Sequence, residues 1–283
     1  MDNALEVHHL RKDFRDFTLN DVSFSLPVGQ VMGFVGQNGA GKTTTIRLIL
    51  NMTRRDGGDV KMLGLDNIRD EESIKQEIGA VFDDTYFVDS WRVREVESAL
   101  KTFYGSWNSE LYGHYIERFK LSMDKRVREL SRGMKIKLML AVAMSHEAKL
   151  LILDEPTSGL DPVARDELLG ILEAYVEDGQ KSVLFSTHIT TDLEKIAGYV
   201  TLIHDGRIFY AGTKDDLLGG FYLVKGDLDD LTSPLDGRIM GLSKTKTGFS
   251  GLIRASEKSL LPNEVFTEQP TIDDILVAIS KGV

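Results

Sequence analysis

Gly36-Gln37-Asn38-Gly39-Ala40-Gly41-Lys42-Thr43 is the stretch that decides how this chain is read. It fits G-x-x-x-x-G-K-[ST] in full, with the apolar run 31–35 before it and a helix-forming run, 43–51, after it. Glycines let backbone N–H groups turn toward a phosphate, and the start of the following helix adds positive potential. Residues 37–44 (Gln37, Asn38, Gly39, Ala40, Gly41, Lys42, Thr43 and Thr44) are therefore the candidate cradle. Lys42 is expected to reach the outer phosphates and the Thr43 hydroxyl to ligate Mg²⁺. A chance glycine turn is the competing account, and the flanking strand and helix disfavour it.

A second run, Leu150-Leu151-Ile152-Leu153-Asp154-Glu155, is a buried-strand pattern that ends in two carboxylates. With the upstream loop in place, Asp154 is expected to hold Mg²⁺, mostly through water, and Glu155 to polarise an attacking water. His188 follows the apolar run 182–185 and is expected at the carboxyl edge of a sheet, where open α/β folds bind ligands. Taken alone, a histidine there is more often structural. The other five histidines read as structural or solvated.

Working outward, residues 4–10, 17–26, 31–35, 60–63 and 78–82 carry strand patterns. Three helical patterns, 92–104, 109–119 and 131–147, follow with few strand signals between them. Strand and helix then alternate again: 150–153, a helix opened by Asp161-Pro162, 182–185, 191–197 and 199–203. That alternation predicts a largely parallel α/β sheet. The expected organisation is a first domain over 1–220, with a helical insert at 84–148, and a small accessory domain over 221–283. The last part reads as irregular up to a helix over 271–280.

Composition narrows the classes. The chain has 283 residues, 34 Lys and Arg against 44 Asp and Glu, a net charge of −10, and no cysteine. Zero cysteine removes disulfides, thiolate nucleophiles and Cys-ligated zinc. The acidic balance disfavours non-specific nucleic-acid binding. The start, MDNALEVHHL, lacks the apolar core of a signal peptide. Residues 22–41 carry no charge, but Pro27 and several glycines make them a poor membrane span. A cytoplasmic location is expected, with any membrane role arising through a partner.

Further motifs now fall into one order. Leu130-Ser131-Arg132-Gly133-Met134 resembles the LSGGQ signature of ATP-binding-cassette (ABC) proteins. Ser158-Gly159-Leu160-Asp161 resembles that family's D-loop, His188 its switch histidine, and Phe14 the aromatic that stacks on adenine. The resemblance covers about residues 4–220. It implies the α/β fold of P-loop NTPases, an ABC cassette with a helical insert, and ATP with Mg²⁺ as ligands. It also implies two cassettes closing face to face, each ATP lying between one 36–43 loop and the other copy's Ser131, Arg132 and Gly133. The second cassette is then another copy or a paralogous chain. A transmembrane permease subunit is the implied partner, which places the chain on the inner face of the cell membrane. No nucleic acid is expected.

Two departures stand out. Arg132 and Met134 replace the usual Gly and Gln of the signature. With Arg126, Arg128, Lys135 and Lys137, Arg132 forms a basic patch that either favours phosphates in trans or is a solvated face. Asp83 takes the place of the family's Gln after the strand 78–82. A carboxylate there is a candidate Mg²⁺ ligand, yet it adds repulsion near the γ-phosphate. These features and the ending Gln269-Pro270-Thr271-Ile272-Asp273-Asp274-Ile275 are similar to ATPase subunits of Gram-positive exporters of antimicrobial or toxin peptides, of the phenol-soluble modulin exporter type.

Three rivals remain in view. Thr213-Lys214-Asp215-Asp216 matches a guanine-reading pattern, but it is short and lies far beyond the Asp-Glu strand. A soluble ABC ATPase acting on DNA or ribosomes would need a long coiled coil between its nucleotide motifs, or a second cassette. An importer ATPase differs mainly in its membrane subunits.

Overall fold

Alternation of apolar and polar residues makes a half-buried antiparallel pair of β1 (Asn3–Asp13) and β2 (Thr18–Pro27). Leu5, Val7, Leu10, Leu19 and Val22 all point into the core. β4 (Gly57–Met62) joins β1, and β5 (Leu65–Asp66) follows, giving the antiparallel order β2-β1-β4-β5. The expectation of one largely parallel sheet is thus corrected for the first strands, which form a sheet of their own. Structure is described here for residues 2–82, 85–231, 235, 237–262 and 264–281 of a computed structural model.

Runs buried at every residue behave differently. β3 (Val31–Val35), β7 (Leu150–Asp154) and β8 (Ser182–Thr187) have no solvent face, and such strands suit a parallel sheet covered by helices. With β6 (Ile78–Val81) and β9 (Tyr199–His204) they pair in parallel in the order β9-β3-β8-β7-β6. Helices α1 (Lys42–Ile49), α2 (Glu71–Glu77), α6 (Pro162–Val176) and α7 (Thr190–Ile196) make the crossovers around it. Phe24 of β2 stacks on Phe34 of β3 with ring centroids 5.3 Å apart, tying the two sheets into one core. The parallel register sets Asp154 beside Ser186 and Val35 beside Thr187. The carboxyl ends of β3, β7 and β8 therefore open on one edge.

Between β6 and β7 lie α3 (Val93–Leu100), α4 (Ser109–Arg118) and α5 (Arg132–Ser145). Asn108 caps α4 by accepting from Leu111 N–H at 2.9 Å, and Ser131 caps α5 by accepting from Met134 N–H at 3.3 Å. Tyr112 is fully buried and donates to Val93 O at 2.9 Å. His146, just past α5, places Nδ1 3.1 Å from Val142 O and Nε2 3.0 Å from Ile78 O. It joins the helical insert to the first residue of β6.

The chain divides into two compact units, Met1–Ile208 and Phe209–Val283. The division falls within β10 (Arg207–Thr213). In the second unit α8 (Lys214–Gly219) leads into β11 (Phe221–Gly226), β12 (Met240–Lys244), β13 (Phe249–Arg254) and β14 (Phe266–Glu268). They form an antiparallel sheet in the order β12-β13-β11-β14. This corrects the irregular reading of the tail. Its strands are short and rich in Gly and Ser, so their pairing is carried by a core of Val224, Ile239, Phe249 and Ile253 rather than by visible periodicity. A final helix, α9 (Ile272–Ser280), is capped by Thr271, which accepts from Asp274 N–H at 3.1 Å.

Candidate nucleotide site

The loop between β3 and α1 is shaped by its glycines. A Cβ on Gly36 would lie 2.3 Å from Ile203 O, so the approach of β9 excludes any larger residue. Gly41 takes φ 112°, a conformation that L side chains rarely adopt, and α1 begins at the next residue. The loop is pinned from both sides: Gly206 N–H donates to Ala40 O at 3.0 Å, and the Thr45 hydroxyl donates to Gly41 O at 2.9 Å. Ala40 itself is buried beneath the loop.

Lys42 is 6% exposed and folds back under this loop. Its ammonium donates to Gly36 O at 2.7 Å and Gln37 O at 3.3 Å, and lies 3.1 Å from Glu155 Oε1. The other oxygen of Glu155 sits 2.7 Å from His188 Nδ1. Three residues from distant parts of the sequence thus meet at one carboxylate. Glu155 has φ 51°, a left-handed backbone that is strained for a side-chain-bearing residue and recurs at functional sites. A cavity of about 340 Å³ opens here, lined by Gln37, Asn38, Gly39, Gly41, Lys42, Thr43 and Thr44 of the loop and by Glu155 and His188.

Asp154 is buried just behind this cavity, and Oδ1 accepts from the Ser186 hydroxyl at 2.6 Å. Among the described residues no group of three His, Cys, Asp or Glu could hold a metal. The available donors are instead a carboxylate and the Thr43 hydroxyl, both hard oxygens. This set fits Mg²⁺, which takes one or two protein ligands and completes its shell with phosphates and water. Asp83 lies outside the described residues. Nearby Asp192 is 2% exposed, and burial pushes its carboxyl above the usual range against the opposing influence of Thr157 and Arg165.

Other expected residues are placed elsewhere. Ser131, Arg132 and Gly133 open α5 and do not line this cavity. Arg132 and Gly133 lie instead against the turn 158–160: a Cβ on Gly133 would be 3.3 Å from Leu160, and one on Gly159 would be 3.5 Å from the Arg132 guanidinium. Phe14 is 46% exposed and not part of the cavity wall. Phe17 is, with its ring 6.4 Å from that of Phe14. Ser158 of the D-loop-like stretch also lines the cavity, whereas Phe17 and Ser186 carry no motif in the sequence. Phe17 carried one usable signal, an aromatic at the start of the second strand.

The chain is similar to known proteins of one family. The family model described as "ABC transporter" matches residues 19–158. NatA of Bacillus subtilis, an ABC transporter ATP-binding protein, is 31% identical over 205 residues, covering 70% of this chain and 83% of NatA. SrtF of Streptococcus pyogenes, a lantibiotic transport ATP-binding protein, is 30% identical over 206 residues, covering 72% of this chain and 88% of SrtF. A solved ATP-binding subunit of an ABC transporter superposes with a TM-score of 0.69 at 27% identity, covering 76% of this chain and 91% of that one.

Proposed function

This chain belongs to the ABC transporter family as an ATP-binding subunit, and from that premise we propose that it powers export of amphipathic antimicrobial or toxin peptides through a separate membrane subunit. The observation that carries the ATPase part is the Glu155 carboxylate held between Lys42 and His188 at the mouth of the phosphate loop. The peptide cargo rests on the likeness to SrtF and on the resemblance of the signature and tail residues to those of peptide exporters.

In this reading the loop amides and Lys42 hold the phosphates of ATP, and Phe17, with Phe14 at its edge, supports the base. Thr43 and Asp154 hold Mg²⁺, which supplies charge neutralisation at the transferring phosphoryl group. Glu155 accepts a proton from the attacking water, and His188 holds that carboxylate in place. The α5 N-terminus, with Ser131, Arg132 and Gly133, acts on the ATP of a second copy or a paralogous chain.

The reading also needs a place for the permease. A groove of about 370 Å³ lies between the core and the helical insert, lined by Leu50, Met52, Phe82, Tyr86 and Tyr104. Tyr86 is 66% exposed and Met52 is exposed as well. An apolar helical segment of a membrane subunit, reaching out of the bilayer, fits such a groove. Among the described residues no helix is long and apolar enough to cross a membrane.

Light-scattering mass of Glu155→Gln with and without Mg-ATP tests the mechanism. A dimer formed only with ATP supports self-pairing. A monomer that binds ATP tightly points to a paralogous partner, and absence of ATP binding sinks the reading. Peptide efflux from cells carrying the chain with its permease, compared with Lys42→Ala, tests the cargo.

A further inference from the structure

Ser186 is fully buried at the end of β8 and makes two bonds of opposite sense with one hydroxyl. It donates to Asp154 Oδ1 at 2.6 Å and accepts from Glu155 N–H at 3.0 Å. Its own backbone oxygen lies 3.2 Å from the same N–H. A hydroxyl has one proton and two lone pairs, so it can serve a carboxylate and an amide at once; no apolar side chain can. The register that sets Ser186 opposite Asp154 is fixed by two fully buried strands, so the hydroxyl has little room to move.

We propose that Ser186 is a positioning residue that presets both acids of the site before nucleotide and metal arrive, holding Oδ1 of Asp154 and anchoring the left-handed turn at Glu155. This rests on the ATPase reading above. Without the Ser186 proton, the Asp154 carboxylate is free to turn about its terminal torsion, and the oxygen offered to a cation is no longer set. The turn at Glu155, at φ 51°, needs outside bonds to persist, and Ser186 supplies one from its side chain and one from its backbone. The role is indirect, since Ser186 does not line the nucleotide cavity. The two carboxylates and the Lys42–His188 clamp are then arranged from behind rather than by the substrate.

The test uses the full chain with bound ADP and Mn²⁺ as a spectroscopic stand-in for Mg²⁺, followed by electron paramagnetic resonance. Ser186→Ala is expected to raise the Mn²⁺ Kd of the ADP complex by about tenfold or more, the range seen when partners of metal ligands are removed. ADP affinity in EDTA should stay within about twofold, which also shows that the variant is folded. Ser186→Thr, which keeps the hydroxyl, should restore Mn²⁺ binding. Should Ser186→Ala fail to bind ADP in EDTA, the near-isosteric Ser186→Cys takes its place, and its weaker donor should give a smaller rise in Kd. An unchanged Mn²⁺ Kd in a folded Ala or Cys variant overturns the proposal. A wild-type ADP complex that binds no Mn²⁺ at all sinks the metal reading instead, a result separable from the first.

Discussion

The Lys42 ammonium lies 3.1 Å from the Glu155 carboxylate, so the cation proposed to meet phosphate is already paired with the acid proposed to serve hydrolysis. An incoming phosphate and Glu155 compete for the same charge. On the proposed mechanism, nucleotide binding would free Glu155 Oε1 from Lys42; its other oxygen already lies 2.7 Å from His188 Nδ1.

Glu155→Gln removes that competition. ATP should bind at least as tightly as in the wild type, while phosphate release falls by about 100-fold or more, the usual scale for losing a positioned base. A fluorescent-nucleotide titration and a phosphate-release assay read the two quantities separately. Equal losses in both would contradict the assignment.

Phe17 and Phe14 can be told apart by the same titration. Phe17 lines the cavity and Phe14 lies outside its wall. Phe17→Ala should weaken ATP binding by about tenfold, the scale of one base–aromatic stack. Phe14→Ala should have a smaller effect, and the reverse order would restore Phe14 as the main stacking residue.

His146 makes stability depend on pH. Burial pushes its imidazole below the ordinary 6.5, against the two carbonyls that favour the charged ring. The native state thus resists a proton that the unfolded chain takes up, so stability falls as pH drops below about 6.5. Urea denaturation between pH 7.5 and 5 should show that fall, and His146→Gln should flatten it.

Tyr86→Ala should leave the basal ATPase rate of the isolated chain unchanged and abolish its stimulation by the permease. Tyr86 stands 66% exposed in the groove between core and insert. Co-purification with the membrane subunit, before and after the substitution, checks whether docking or coupling is lost.

Phe34→Ala removes a fully buried ring that stacks on Phe24 between the two sheets. A loss of about 3–5 kcal/mol in unfolding free energy is expected, measured by chemical denaturation.

Much of this site was readable in one dimension. The loop from Gly36 to Thr43 announces itself because the backbone geometry that wraps a phosphate needs glycines at set places. The 150–155 run is as plain, because a strand covered on both faces has to be apolar throughout. The helices of the insert follow from 3.6-residue spacing, and α6, beyond the insert, from its Asp161-Pro162 start.

Other features came from contacts between residues far apart in the chain, which local pattern does not encode. The four strands of the second unit are held by cross-strand packing around Phe249 and Val224, which short strands do not advertise. Ser186 looked like any strand serine until the register of β8 against β7 put its hydroxyl on Asp154. Phe17 lines the cavity at the phosphate loop while Phe14, three residues earlier, lies outside its wall. Local chemistry along the chain was sufficient to name phosphate binding and the carboxylates. Which side chain bonds Asp154, and which ring lines the cavity, depended on strand register and on packing between distant segments, because orientation is set by neighbours and not by the residue itself.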